Sequence, residues 1–123
     1  MAEESRYRSL RAERGENGVA EIVLLGPGKG NAMGPDFWRE LPLAVAALEA
    51  DESVRAVIIR GDGAHFSYGL DLGAMVGELP VAGEQLAAER TGFLDTILRM
   101  QGAVTSVATC RKPVIAAISG WCI

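Results

Sequence analysis

The chemistry in this sequence concentrates in one short run, His65-Phe66-Ser67-Tyr68-Gly69-Leu70-Asp71-Leu72. It follows a branched apolar run and the turn Gly61-Asp62-Gly63. That is where ligands approach open α/β sheets, beyond the carboxyl ends of the strands. Gly69 beside a polar or aromatic residue can turn the backbone so that amide N–H groups point into a cavity instead of into a ladder. Such a donor is what a developing oxyanion needs. The same residues admit a plainer reading, in which Ser67-Tyr68-Gly69 is a turn at a strand end and Asp71 caps a short helix.

His65 is the single histidine of the chain. It fits a pocket rim or the surface, and no role is assigned to it. Asp62 and Asp71 resemble a carboxylate pair, yet nothing in the sequence fixes their separation. Cys110 and Cys122 lie in apolar surroundings with no second Cys or His at a metal-ligand spacing, so neither a zinc site nor a Cys/His nucleophile pair is expected.

The elements that position these residues read as an alternation. Residues 7–13 and 19–25 form a hairpin across the turn 14–18. Residues 26–31 carry three glycines and a proline, which argues against regular structure and lets the backbone approach something closely. A helix begins near Pro35 and Asp36, with Phe37, Leu41, Ala44, Val45 and Leu48 at spacings of three and four. Pro42 lies inside it and predicts a kink or an early break. Residues 54–59 read as a strand buried on both faces. After a loop over 61–80, in which Met75 and Leu79 could form a cover and Gly73, Gly77 and Gly83 would let it move, an amphipathic helix spans 83–110. Its apolar positions are Leu86, Phe93, Leu94, Ile97, Leu98, Gln101, Val104 and Ala108, while Glu84, Glu89, Arg90 and Asp95 form its solvated face. Arg111-Lys112-Pro113 ends this helix, and residues 114–118 form a last buried strand.

The chain is 123 residues long, 49% apolar and 23% charged, in keeping with one soluble α/β domain over residues 1–123. Twelve Lys and Arg against sixteen Asp and Glu give a net charge of -4, with no basic cluster beyond Arg111-Lys112, so nucleic acid is not an expected partner. No apolar run reaches the roughly 18 residues of a membrane helix. No export signal leads the chain, so a membrane partner is not expected and a cytoplasmic address is. Residues 113–123 carry no charge at all.

Four motifs in order carry a resemblance: Gly30-Asn31-Ala32-Met33, Val54-Arg55-Ala56-Val57-Ile58-Ile59, Phe66-Ser67-Tyr68-Gly69-Leu70-Asp71-Leu72, and Arg111-Lys112-Pro113-Val114-Ile115-Ala116-Ala117-Ile118-Ser119-Gly120. Together they resemble the enoyl-CoA hydratase/isomerase (crotonase) superfamily, from about Tyr7 to the last residue. The resemblance implies that residues 1–123 are the N-terminal part of a single crotonase-like domain, a spiral of ββα units cut off within a unit, and that the substrate is an acyl-CoA thioester whose acyl chain the loop at Met75 and Leu79 could cover. Coenzyme A is then part of the substrate, and no separate cofactor is implied. It places the first oxyanion donor on the backbone N–H of Tyr68, where family members usually carry a small residue. It places Gly69, Leu70 and Asp71 along the thioester region, and Lys29 and Ala32 on the loop that touches the nucleotide and pantetheine end of CoA. A lysine beside phosphates has an electrostatic role, although a lone loop lysine is as readily a solvated charge.

The family's second donor comes from a triple-glycine segment a few residues after Gly120, and its catalytic carboxylates follow later. Neither falls within these residues. The expectation is therefore part of an enzyme that adds water to an enoyl-CoA, inert as residues 1–123 alone. The alternatives are a dienoyl-CoA isomerase, which residues 73–110 and the run Gly120-Trp121-Cys122-Ile123 resemble, or a non-catalytic truncated interaction module. Homotrimers or hexamers are implied for the intact protein.

Overall fold

The structure is a computed structural model and describes residues 7–26, 29–78 and 87–123, with Lys29 described by its backbone only. β1 (Leu10–Arg14) and β2 (Val19–Leu24) pair antiparallel from Leu10 opposite Leu24 to Arg14 opposite Ala20, as the hairpin reading expects. The next elements are a 3-10 turn over Lys29–Asn31, α1 (Pro35–Ala50) and β3 (Ala56–Gly61). They are followed by α2 (Leu72–Met75), α3 (Ala87–Thr109) and β4 (Val114–Ala117). β3 lies parallel to β2 and β4 parallel to β3, so the sheet order is β1-β2-β3-β4 with helices as the crossovers.

The core forms where α1 lies on the sheet. Phe37, Leu41, Ala44, Val45 and Leu48 pack against Leu10, Ala20, Ile22, Leu24 and Val57. Each of the larger side chains contributes about 1.5–3 kcal/mol by leaving water. In β2, Ile22 and Val23 point to opposite faces, and both are fully buried. Glu40 is the polar exception in α1, only 6% exposed. Its carboxylate accepts from the Arg8 N–H at 2.8 Å, the Ser9 N–H at 2.9 Å and the Ser9 hydroxyl at 2.6 Å, which ties the chain ahead of β1 to the helix. At the other end of α1, Lys112 donates to the carbonyls of Leu48 and Asp51 and so caps this helix across the fold, while the Arg111 N–H donates to the Glu49 carboxylate at 2.7 Å.

Several expectations change. α1 runs through Pro42 without a break. Proline removes one ladder donor there, and the buried residues on both sides of it hold the helix against the sheet. β3 is not buried on both faces: Val57 is buried, while Ile58 and Ile59 are half-buried. β4 is an edge strand with Ile115 58% exposed, and Ile118 just beyond it is 56% exposed, because no described element covers that side. The loop expected over 61–80 contains α2, where Met75 is buried at 2% exposure instead of lying in a movable cover.

α3 passes through Gly92 and Gly102, yet of its described residues only Ala103 is buried. Leu94, Leu98 and Val104 are more than half exposed while Phe93 and Ile97 are half-buried, so the apolar stripe read from spacing is covered only in part. Glu89, Arg90 and Asp95 are exposed. Leu79, Gly83, Glu84 and Leu86 lie outside the described residues, as do Pro27 and Gly28 of the glycine-rich loop.

Candidate functional site

Two loops meet beyond the ends of β2 and β3. The first, from Lys29 to Met33, turns twice through left-handed backbone, with φ of 67° at Gly30 and 55° at Asn31. Residues 26–31 are thus not wholly irregular, since Lys29–Asn31 close a 3-10 turn. The second loop runs from His65 to Asp71 with Gly69 at φ 90°. The two are joined as a short ladder: the Tyr68 N–H donates to the Gly30 carbonyl at 2.8 Å, the Met33 N–H to the Gly69 carbonyl at 2.7 Å, and the Asp71 N–H to the Met33 carbonyl at 2.9 Å. The segments matched to CoA contact and to thioester contact are therefore neighbours in space.

The Tyr68 N–H, expected as a donor to a thioester oxygen, is thus already engaged by a carbonyl of the neighbouring loop. The left-handed turn at Gly30 aims that carbonyl at the donor. The Tyr68 ring covers the same glycine, and a Cβ added to Gly30 would sit 2.3 Å from a ring carbon. Tyr68 is 37% exposed, so its side chain faces partly into solvent and not into a closed pocket. Asp71 accepts from the Ala74 N–H at 3.1 Å and so caps α2, in line with the plainer reading of that residue. Leu70 and Ala32 are half-buried; Leu70 bridges Met33, and Ala32 lies between the 3-10 turn and that bridge. The side chain of Lys29 lies outside the described residues.

Sequence reasoning assigned no role to Asn31 or Ser67, and the structure makes them the centre of the arrangement. Asn31 is 8% exposed and donates through Nδ2 to the carbonyls of Asp62 at 2.9 Å, His65 at 3.0 Å and Phe66 at 3.3 Å. Ser67, 2% exposed, donates its hydroxyl to the Asn31 carbonyl at 2.9 Å and accepts from the Gly69 N–H at 3.1 Å. The available signal was an Asn directly after a Gly, the residue type that tolerates left-handed backbone and carries its own donors. Gly61 leaves room for this cluster, since a Cβ there would come within 2.7 Å of Asn31 Nδ2 and closer still to two carbonyls.

Residues 119–123 lie alongside the second loop. The Trp121 carbonyl accepts from the Phe66 and Ser67 N–H groups, both at 3.1 Å, and the Ile123 N–H donates to the Ser67 carbonyl at 3.1 Å. Below them is an apolar cavity of about 330 Å³ bounded by Met33, Phe37, Phe66, Val107 and Ile123, among others. A second cavity of about 240 Å³ lies between α1, α2 and α3, lined in part by Trp38, Arg39, Met75 and Arg99. The buried Trp38 indole N–H has no hydrogen-bond partner among the described residues.

Residues 14–123 match the family "Enoyl-CoA hydratase/isomerase". A mitochondrial Delta(3,5)-Delta(2,4)-dienoyl-CoA isomerase from Mus musculus is 38% identical over 95% of this chain and 36% of its own length. A hydroxycinnamoyl-CoA hydratase-lyase from Pseudomonas fluorescens is 29% identical over 97% of this chain and 41% of its own length. The crystal structure of an enoyl-CoA hydratase/isomerase from Xanthobacter autotrophicus Py2 superposes with a TM-score of 0.81 at 33% identity, covering 95% of this chain and 40% of that one. The chain thus spans well under half the length of the relatives it matches, and its α/β fold is that of the corresponding part of a crotonase-like domain. The family match takes in every element from the end of β1 onward and both site loops, so this chain belongs to the enoyl-CoA hydratase/isomerase family.

Proposed function

We propose that this chain forms the CoA-contacting and first-donor part of an enzyme that stabilises a thioester enolate or oxyanion and adds water to an enoyl-CoA. The observation that carries the reading is the ladder between Lys29–Met33 and Tyr68–Asp71, which brings the two segments matched to CoA and thioester contact side by side with the Tyr68 N–H between them. In this reading the Tyr68 N–H exchanges the Gly30 carbonyl for the thioester oxygen, with Gly69, Leu70 and Asp71 along the thioester and Lys29 and Ala32 toward the nucleotide end. A negatively charged oxygen is the stronger acceptor, because charge-assisted hydrogen bonds exceed neutral ones. The oxyanion forms as the reaction proceeds, so the contact strengthens where it lowers the barrier.

A second reading, isomerisation of a dienoyl-CoA, is favoured by the relatives named as dienoyl-CoA isomerases at 34–38% identity. Both readings pass through the same stabilised thioester and differ in the carboxylates that move the proton.

The 123 residues alone are proposed to be inert. Lack of one oxyanion donor costs about 10²–10³ in rate, and lack of general acid–base groups about 10²–10⁴ more. The test uses the chain itself. Titration with butanoyl-CoA, a saturated thioester, is expected to show binding and to move the Tyr68 amide resonance, while but-2-enoyl-CoA is hydrated no faster than in buffer. No binding of butanoyl-CoA removes the CoA reading, and hydration above background removes the claim of inertness.

A further inference from the structure

We infer that His65 is a positioning residue for this site: its imidazole holds residues 119–123 against the strip that carries the Tyr68 amide. The inference deepens the acyl-CoA reading above and rests on it for its functional half.

The Trp121 N–H donates to His65 Nδ1 at 2.9 Å. Among the described residues this is the one side-chain hydrogen bond between the two segments; the others run backbone to backbone, from Phe66, Ser67 and Ile123. The residue is held at both its backbone and its ring. Its own carbonyl is held by Asn31 Nδ2 at 3.0 Å. Its Nδ1 lies so close to Gly120 that a Cβ there would come within 2.3 Å, and Gly120 has the left-handed φ of 60° that suits glycine. The Tyr68 and Trp121 rings pack around it, with centroids 5.4 and 6.2 Å away.

The consequence reaches the site, because the far end of the held segment touches the donor strip. The Ile123 carbonyl oxygen lies 3.2 Å from where a Gly69 Cβ would stand. A nitrogen that accepts an N–H carries no proton of its own, so this bond specifies the imidazole with its proton on Nε2. Loss of the acceptor leaves residues 119–123 on their backbone bonds alone, and the wall beside Tyr68 and Gly69 shifts with them.

The test is a nitrogen-15 labelled chain. A scalar coupling across the hydrogen bond between the Trp121 amide nitrogen and His65 Nδ1 is expected. His65→Leu, which has no acceptor, should move the Tyr68 and Gly69 amide resonances and weaken butanoyl-CoA binding about tenfold, as loss of a positioning hydrogen bond would. His65→Gln, whose side-chain oxygen can take the Trp121 N–H, should bind within about threefold of the parent chain. Absence of the coupling overturns the inference. So does a His65→Leu chain with unmoved Tyr68 and Gly69 amides and unchanged affinity. If His65→Leu does not fold, the parent coupling and the His65→Gln affinity decide in its place. If the parent chain binds no butanoyl-CoA while the coupling is present, the acyl-CoA reading has failed and the functional half of the inference falls with it.

Discussion

The carbonyl oxygen of Gly30 lies 2.8 Å from the backbone nitrogen of Tyr68, and the Tyr68 ring rests on the Gly30 Cα. One residue thus occupies the donor and supports the side chain next to it. Gly30→Ala should lower stability by about 1–2 kcal/mol from the left-handed backbone alone, plus the displacement of the ring. In a Tyr68→Ala background the same change should cost less, because the clash is gone. Urea denaturation of the four chains measures the difference, and an equal cost in both backgrounds would show that the ring contact plays no part.

Asn31 holds three carbonyls of the turn between β3 and the second loop. Asn31→Ala should cost about 1–3 kcal/mol, since it removes those donors and leaves partly buried carbonyls without this partner. Asn31→Gly suits the φ of 55° better but loses the same hydrogen bonds, so it should recover only the backbone share. Chemical denaturation of both variants separates the two contributions. Full recovery by glycine would mean that the side-chain bonds contribute nothing.

Glu40 is a buried carboxylate with three donors from Arg8 and Ser9. Glu40→Gln keeps the shape but turns one acceptor into a donor facing N–H groups, at a cost of about 1.5–3 kcal/mol. Hydrogen exchange at the Arg8 and Ser9 amides should rise with it, while exchange in the core of β2 follows only the global loss. Unchanged exchange at Arg8 and Ser9 would contradict this account of the tie.

Asp51 follows α1, and its carboxylate accepts from Ser53 Oγ, from Arg14 and from the Ser53 N–H, the causes in order of size that lower its pKa from 3.8 to about 2. A carboxylate depressed in the folded state contributes stability above its unfolded pKa and loses it as pH falls through the folded value. The parent chain should therefore melt above Asp51→Asn at pH 5, with the gap closing between about pH 4 and pH 2. The group is exposed, so the gap should be small and should shrink with added salt. Thermal melts across that range decide the matter, and a gap that stays constant would mean Asp51 is not the titrating group.

The alternation of strands and helices was legible because it depends on local periodicity. The hairpin, α1 and the two parallel strands follow from branched runs, turn residues and three-four spacing, which act over a few residues whatever the rest of the chain does. The site loops were legible as residue patterns, and their place at the strand ends follows from the sheet. The continuity of α1 at Pro42 was not legible, because propensity is a weak local term that tertiary packing overrides.

The face of α3 that packs was equally hidden. Leu94, Leu98 and Val104 share the helical spacing that predicts burial, yet burial depends on what lies opposite, and of the described residues of α3 only Ala103 is fully covered. The occupancy of the Tyr68 amide, the reach of Asn31 to three carbonyls and the grip of His65 on Trp121 join residues 31 to 56 positions apart. Residue type and spacing determined which groups could serve as donors, caps and turn formers. Only the tertiary structure decided which partner each donor meets, because a hydrogen bond is set by distance and angle in space, and neither is a property of the sequence alone.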